Sequence, residues 1–179
     1  GGGPRASCSP SACKIRYGKM GSPILAFYEG TGGDHRGRSL EEILAWSDTE
    51  LEMTHDYIQW LFPLREPSAF NPWAPVLTAA DIAAFRSSPH LQERMRRAFH
   101  RMMRFYGFGV RHLPWLTPGN HNFLRLTRML ASLRLAGLEA EAQELFGRLK
   151  ALYEAHPDLI GRLTWSYWAR AAQSPTVTE

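Results

Sequence analysis

The stretch HDYIQWLFPLREPSAFNPWAPVLT, residues 55–78, decides the fold of this chain. Its first half repeats apolar residues at helical spacing on two adjacent faces, which is typical of a helix buried on most sides. Its second half carries three prolines that exclude a helix until Thr78. We therefore expect a central helix that begins at Ser47, ends at Pro63 and leads into a loop rich in proline and aromatic residues.

Helix signals recur along the rest of the chain at short intervals. Capping boxes of the S-x-x-E type begin at Ser39 and Ser47. The other expected helix starts are Thr78, Ser88-Pro89, Thr117-Pro118 and Pro157-Asp158, and the expected stops include Gly107 and Gly137. Because no stretch alternates apolar and polar residues as a half-buried strand would, the sequence predicts an all-α fold, a single compact multi-helix domain of about six to seven helices.

The length of 179 residues suits one domain with its own core. Residues 1–22 begin Gly-Gly-Gly-Pro and show no apolar period, so we expect a disordered leader or a remnant of cloning there. The predicted helical domain covers residues 23–173, and residues 174–179 form a tail. No run approaches the roughly 18 apolar residues that a membrane span needs, so no transmembrane segment is predicted.

The cysteines and histidines argue against a metal or cofactor site. Cys8 and Cys13 both lie in the leader, and the seven histidines are scattered without ligand spacing. Nucleotide-binding and hydrolase fingerprints are absent from the sequence. We expect no metal, no cofactor and a cytoplasmic location, and an enzyme of this sequence would have to work with acid and base groups alone.

Four blocks of sequence, in this order, resemble one known family. They are GRSLEEIL at 37–44, YIQWLFPLREP at 57–67, AFRSS at 84–88 with FYGF at 105–108, and NHNFLRLTRMLASLRLAGL at 120–138. Together they cover about residues 24–138 and resemble the conserved amino-terminal region of the opioid growth factor receptor family. The resemblance implies a helical binding module with receptor-like binding of a peptide or protein.

The chain departs from the family pattern in two respects. Phe123 stands where many relatives have Asn, so a polar role at that position is in doubt. The long extensions of the vertebrate members, with nuclear targeting and acidic repeats, have no counterpart in these 179 residues. We therefore expect a short homologue, without support from this chain for nuclear or peripheral membrane association.

A set of polar residues in and next to these blocks is not explained by apolar packing. With two tryptophans as aromatic walls, we predict that they line a ligand-binding pocket, the candidates being His55, Gln59, Trp60, Asn71, Trp73, Asn120, His121, Asn122 and Arg125. His55 has two interpretations: a core histidine with local hydrogen bonds, which we prefer, or a general base or ligand contact. Gln59 could hydrogen bond to His55 or clamp the loop that follows.

The helix start around His121 also has two interpretations. Its free N–H groups could bind a carboxylate or phosphate with Arg125 as a bidentate partner. Alternatively, Asn and Thr side chains cap the helix while Arg125 pairs with an acid or caps loop carbonyls. We prefer this second, structural interpretation because capping residues are mostly structural.

A basic stripe is predicted on the helix after Ser88, formed by Arg94, Arg97, Arg101 and Arg104. Its commonest role is a solvated face, partly paired with acids. With a net charge of +4 and a pI of about 9.3, it could also contact nucleic acid or an anionic membrane surface.

Three functions follow, in order of preference. The first is a non-enzymatic module that binds a peptide or protein through an aromatic groove. The second is a small enzyme that uses His55, His121 and Arg125 in a polar pocket, and the third is a binder of anionic surfaces. Convergence of both histidines on one open pocket would favour the enzyme; burial of both would count against it.

Overall fold

This computed structural model describes residues 21–110 and 112–173 of the chain. This part contains nine helices and no strand. The all-α prediction is confirmed. The helices are α1 Pro23–Glu29, α2 Leu40–Ala45, α3 Asp48–Met53, α4 Ile58–Leu61, α5 Ala79–Ser87, α6 Pro89–Tyr106, α7 Asn122–Leu135, α8 Glu139–Ala155 and α9 Pro157–Ala171. Most of the expected leader, both cysteines and the tail lie outside the described residues.

Helix α7 connects two groups of helices. One of its faces packs against α8 and α9, which also pack against each other. Phe123 of α7 packs on Trp168 of α9, with ring centroids 5.8 Å apart. In the other group, α6 packs against α1 and α5. A single hydrophobic cluster runs through both groups, so the polar face of α7 that remains lies beside α3, α4 and the loop after them.

Most predicted helix starts are correct because their signals are local. Ser39, Ser47 and Thr78 each form a capping box with the acid three residues later. Ser88 caps α6 with Pro89 at its first position, and Gly107 ends that helix in the left-handed conformation. Each capping bond is closed within four residues, so the sequence alone is sufficient to predict it.

The expected continuous helix from Ser47 to Pro63 is wrong. The chain instead forms α3 and the single turn α4, separated by an extended break that starts at Thr54. Other groups satisfy the carbonyls exposed by the break. The Tyr57 hydroxyl donates to the Leu51 carbonyl at 3.0 Å, and the Arg125 guanidinium donates to the carbonyls of Leu51 and Thr54 at 2.9 and 2.7 Å.

The expected start of α7 at Thr117-Pro118 is also wrong. Residues 117–121 form turns, with Gly119 at a φ of 68°, and the helix begins at Asn122. The short helix α1, which the sequence reading left unassigned, and the break after α3 account for nine helices where six to seven were expected. None of the helices described is long and apolar enough to cross a membrane.

Candidate ligand-binding site

A cavity of about 520 Å³ lies between α4, the loop at residues 62–77 and α7. Its wall is mixed, with apolar, imidazole, amide, hydroxyl and guanidinium groups. The lining residues are His55, Ile58, Gln59, Leu64, Pro67, Ser68, Ala69, Phe70, His121, Leu124, Arg125, Thr127, Arg128 and Ala131. Four of the nine predicted site residues, His55, Gln59, His121 and Arg125, are among them.

One face of α7 forms the side of the cavity opposite the loop. The residues at its helical spacing are His121, Leu124, Arg125, Arg128 and Ala131. They lie away from the face that packs on α8 and α9. The amphipathic pattern of α7 thus places a polar and partly apolar surface towards the cavity.

The loop at residues 62–77 forms the other wall and is held by bonds from separate elements. Ser132 and Arg128 of α7 donate to the carbonyls of Pro63 and Phe62 at 2.8 and 3.1 Å. Within the loop, the Leu77 amide donates to the Leu64 carbonyl at 2.8 Å. Phe70, 80% exposed, stands at the rim. Residues 64 and 67–70 of this anchored loop therefore form a wall with an aromatic edge.

Gln59 and Asn71 clamp this loop to the break after α3. The Asn71 side-chain amide donates to the Asp56 carbonyl at 3.0 Å, and its oxygen accepts from the Trp73 amide at 3.1 Å. Gln59 donates to the His55 carbonyl at 3.4 Å. Both amides are buried. Gln59 therefore bonds to the backbone of His55, and it meets the loop through the Asn71 side chain, which donates to its oxygen at 3.5 Å.

His55 and His121 meet in the cavity, with ring centroids 5.0 Å apart and rings close to perpendicular. His55 is exposed, so our preferred interpretation of it as a core histidine is wrong. The reason is the break after α3, which turns this position away from the stripe of Leu51 and Ile58. Arg125 Nη2 lies 3.4 Å from His55 Nδ1.

Burial lowers the pKa of His121, and the positive charge of Arg125 lowers it further. Glu52, whose carboxylate lies 3.4 Å from His121 Nε2, opposes this shift. His121 is therefore neutral at neutral pH and can accept or donate a hydrogen bond there.

Arg125 is buried and its guanidinium is occupied. It donates to the carbonyls of Leu51 and Thr54, lies within hydrogen-bond distance of the Asn122 side chain, and stacks over the Tyr57 ring at 5.5 Å. This geometry agrees with the structural interpretation, in which Arg125 caps loop carbonyls. It leaves little of the guanidinium for a bidentate contact with a ligand.

Asn120 and Asn122 do not line the cavity. They form hydrogen bonds behind His121. Asn122 is completely buried, and its side-chain amide donates to the carboxylate of Glu52 and to the side-chain oxygen of Asn120, both at 3.0 Å. Because Glu52 also lies beside His121, these amides fix the position of the imidazole.

The two tryptophans of the predicted pocket lie elsewhere. Trp60 is buried against Phe27, with ring centroids 5.5 Å apart, and its indole N–H donates to His35 Nδ1 at 3.1 Å. Trp73 is 75% exposed on the loop and does not line the cavity. Among the lining residues, Phe70 is the one with a phenyl, phenol or indole ring, so the expected groove with aromatic walls is replaced by a mixed one.

Ten of the fourteen lining residues were not predicted, and four of these, Leu124, Thr127, Arg128 and Ala131, lie on α7. They occupy the same helix face as His121 and Arg125. A helical projection from His121 would have found Leu124 and Arg128, three and seven residues on. The apolar loop residues carry no comparable signal, because their position depends on contacts made far along the chain.

The arginine stripe of α6 is largely engaged within the protein. Glu41 pairs with Arg97 at 2.6 Å and with Arg94 at 3.4 Å. Arg101 is buried and donates to the Trp46 carbonyl and to Asp48, while Arg104 is exposed. Three of the four arginines therefore form ion pairs with acidic residues of this chain, as the interpretation of the stripe as a solvated, partly paired face expects. Among the described residues, no group of three or more His, Cys, Asp or Glu side chains could hold a metal ion.

The part of the chain that matches known proteins includes the whole of this site. The profile of the opioid growth factor receptor (OGFr) conserved region matches residues 24–149. The chain belongs to the opioid growth factor receptor family. All the cavity residues lie within the matched region, which ends inside α8, whereas α9 lies beyond it.

The relatives that this chain matches are much longer than the matched region. The opioid growth factor receptors of Rattus norvegicus and Homo sapiens are each 41% identical over 121 residues, which cover 58% of this chain and 21% and 18% of theirs. An opioid growth factor receptor-like protein 1 of Xenopus tropicalis is 37% identical over 120 residues, 58% of this chain and 23% of that protein. The chain thus spans about a fifth of the length of these relatives. No solved structure matches it.

Proposed function

We propose that this domain binds a short peptide, or an extended segment of a protein, in the cavity between α4, the loop at residues 62–77 and α7. The observation that carries the proposal is the cavity itself, about 520 Å³ with apolar walls and a few polar groups. Sites for small ligands have volumes of a few hundred to about 1,000 Å³ and this same mixture of surfaces.

The edges of the cavity suit a ligand that continues beyond it. Phe70 on the loop and Leu124 on α7 are 80% and 51% exposed and stand at opposite walls. Burying such side chains contributes roughly 25 cal/mol per Å² of apolar surface. A peptide could bury one side chain in the cavity and cover both edges with its neighbours.

The names of the relatives support a peptide ligand. Those relatives are named as the receptor for opioid growth factor. Since this chain covers about a fifth of them, the name supports the class of ligand for this domain rather than one particular peptide. The proposed activity is therefore peptide binding by the conserved region alone.

The test measures binding of fluorescently labelled opioid growth factor and of peptides selected from a random displayed library. Leu124→Glu places a charge in the apolar rim of the cavity, and we expect it to weaken binding at least about tenfold, or 1.4 kcal/mol. Leu163→Glu is the matched control, because Leu163 is also an exposed leucine, 66% exposed, on α9 outside the cavity. The proposal fails if no peptide binds, or if both variants bind equally well.

A second candidate function, acid–base catalysis, is favoured by the meeting of His55 and His121 in one open cavity. With its lowered pKa, His121 could act as a base at neutral pH. Hydrolysis of p-nitrophenyl acetate and p-nitrophenyl phosphate should then exceed the rate with free imidazole and fall in His121→Gln. Rates equal to that of imidazole, or unchanged in this variant, would count against an enzyme.

A further inference from the structure

The charges around the cavity are strongly unbalanced. Two guanidinium groups and two imidazoles line it, at Arg125, Arg128, His55 and His121, and no carboxylate does. Glu52, which lies beside His121, is not part of the lining. A cavity with this lining attracts negative charge and disfavours positive charge.

Arg128 differs from Arg125 in how much of its guanidinium is used. Arg125 donates to several backbone carbonyls, whereas Arg128 makes one hydrogen bond, from Nη1 to the Phe62 carbonyl at 3.1 Å. No carboxylate of the described residues forms an ion pair with Arg128. Arg128 lines the cavity, and the rest of its fork of N–H donors makes no hydrogen bond with the described residues.

The environment of Arg128 also differs from that of arginines in ion pairs. Burial lowers the pKa of Arg128, and the charge of Glu66 only partly offsets this. Hydrogen bonds to carboxylates instead raise the pKa of Arg96 and Arg97. A partly desolvated cation without a partner carboxylate is costly to the folded protein, and an anion bound beside it would offset that cost.

We infer that the ligand of this cavity carries an anionic group, a carboxylate or a phosphate, and that this group pairs with Arg128. The inference rests on the proposed function and names the class of peptide that the site takes. The anion receives charge-assisted hydrogen bonds from the guanidinium. The apolar part of the ligand lies against Leu64, Phe70 and Leu124, which share the cavity with Arg128.

Three small probes test the inference. N-acetylphenylalanine presents a carboxylate, phenyl phosphate presents a phosphate, and N-acetylphenylalanine amide is the neutral counterpart of the first. Binding is followed by NMR through the ring protons of His55 and His121. We expect at least one anionic probe to bind about tenfold more tightly than the amide, and the preferred one identifies the group. Equal binding of all three, or no binding, would overturn the inference.

Variants locate the anion. Arg128→Gln should abolish the preference for the anionic probe, while Arg128→Lys, which keeps the charge without the planar fork, should retain part of it. Arg65→Gln is the matched control, because Arg65 is exposed on the same loop and does not line the cavity. If Arg128→Gln does not fold, as judged by circular dichroism, the lysine variant decides. A folded Arg128→Gln protein that keeps the full preference for the anionic probe would contradict the assignment. So would an Arg128→Lys protein whose preference equals that of the wild type and of Arg65→Gln.

Peptides separate this inference from the proposed function. A selected peptide is compared as the free acid, the amide and a phosphorylated form. If every form binds with the same affinity, the domain binds peptides but the anion site is wrong. If the small anions bind and no peptide does, the anion site stands and peptide binding fails.

Discussion

The guanidinium of Arg125 donates to the carbonyl of Thr54 at 2.7 Å, across 71 residues of sequence. The same side chain donates to the carbonyl of Leu51 at 2.9 Å. It therefore caps carbonyls at the end of α3 from a distant helix, in addition to the local bond from the Thr54 amide to the Glu50 carbonyl.

We expect Arg125→Ala to destabilise the protein by roughly 3 kcal/mol, because the Thr54 carbonyl loses its side-chain donor and the stacking on Tyr57 is lost, and an acceptor left without a donor costs about 1–3 kcal/mol. Chemical denaturation measures the free energy of unfolding. Arg104→Ala, at an exposed arginine of α6, should change it by less than about 0.5 kcal/mol. Equal effects of the two substitutions would show that the cap contributes little.

The two tryptophans of the 55–78 block should behave in opposite ways. Trp60 is buried and hydrogen bonded to His35, so Trp60→Ala should cost about 3–5 kcal/mol of stability. Trp73→Ala should change the free energy of unfolding by less than about 0.5 kcal/mol because the ring is largely exposed. Thermal unfolding followed by circular dichroism compares them, and a large loss in Trp73→Ala would contradict the assignment.

His121 should make stability depend on pH. Its pKa is lowered in the folded protein, so the unfolded chain binds its proton more tightly, with a usual pKa of about 6.5. The free energy of unfolding should therefore decrease as the pH falls from about 7 through the folded pKa. His121→Gln should flatten this slope in urea titrations at several pH values. His90→Gln, at an exposed histidine of α6, should not; identical slopes in both variants would refute the prediction.

Two glycines that follow helices should differ in their tolerance of a side chain. Gly107 and Gly137 have φ of 61° and 80°, and Ala at such a φ costs about 1–2 kcal/mol. A Cβ at Gly137 would also lie 3.2 Å from Arg86 and 3.3 Å from Gln92, whereas a Cβ at Gly107 would lie 3.6 Å from Val110, an ordinary van der Waals distance.

Arg86 and Gln92 both donate to carbonyls at the end of α7, so displacing them weakens the end of that helix. We expect Gly137→Ala to be less stable than Gly107→Ala by about 1 kcal/mol or more. Melting temperatures of the two variants measure the difference. A Gly107→Ala protein that melts at or below Gly137→Ala would contradict this explanation.

The sequence predicted the features that nearby residues determine. The capping boxes at Ser39, Ser47 and Thr78 were read directly, since each closes within one turn. The helix starts at Pro89 and Pro157 were also identified correctly, because proline is favoured in the first turn of a helix. The fold class followed from these signals and needed no information about distant contacts.

The features that sequence reading missed depend on distant residues. The apolar period continues through residues 54–57, so nothing local indicates the break that Arg125 stabilises. Trp60 and Trp73 were both predicted to line the pocket. Trp60 is buried because it packs against Phe27, a residue distant in the sequence, whereas Trp73 is exposed. Arg125 and Arg128 lie one turn apart in the sequence. The position of α3 in the folded protein decides that Arg125 is the one that donates to the carbonyl of Leu51, whereas Arg128 donates to that of Phe62.

The order of synthesis gives these distant bonds a further consequence. Arg125, Arg128 and Ser132 donate hydrogen bonds to backbone carbonyls in the segment 51–63. These donors lie 66 to 74 residues later in the chain than the carbonyls that accept from them. A ribosome adds residues from the amino end at about 5–20 per second. The segment from α3 to the loop therefore waits several seconds for α7 to be made, and we expect it to be the portion of the nascent domain most in need of protection by chaperones.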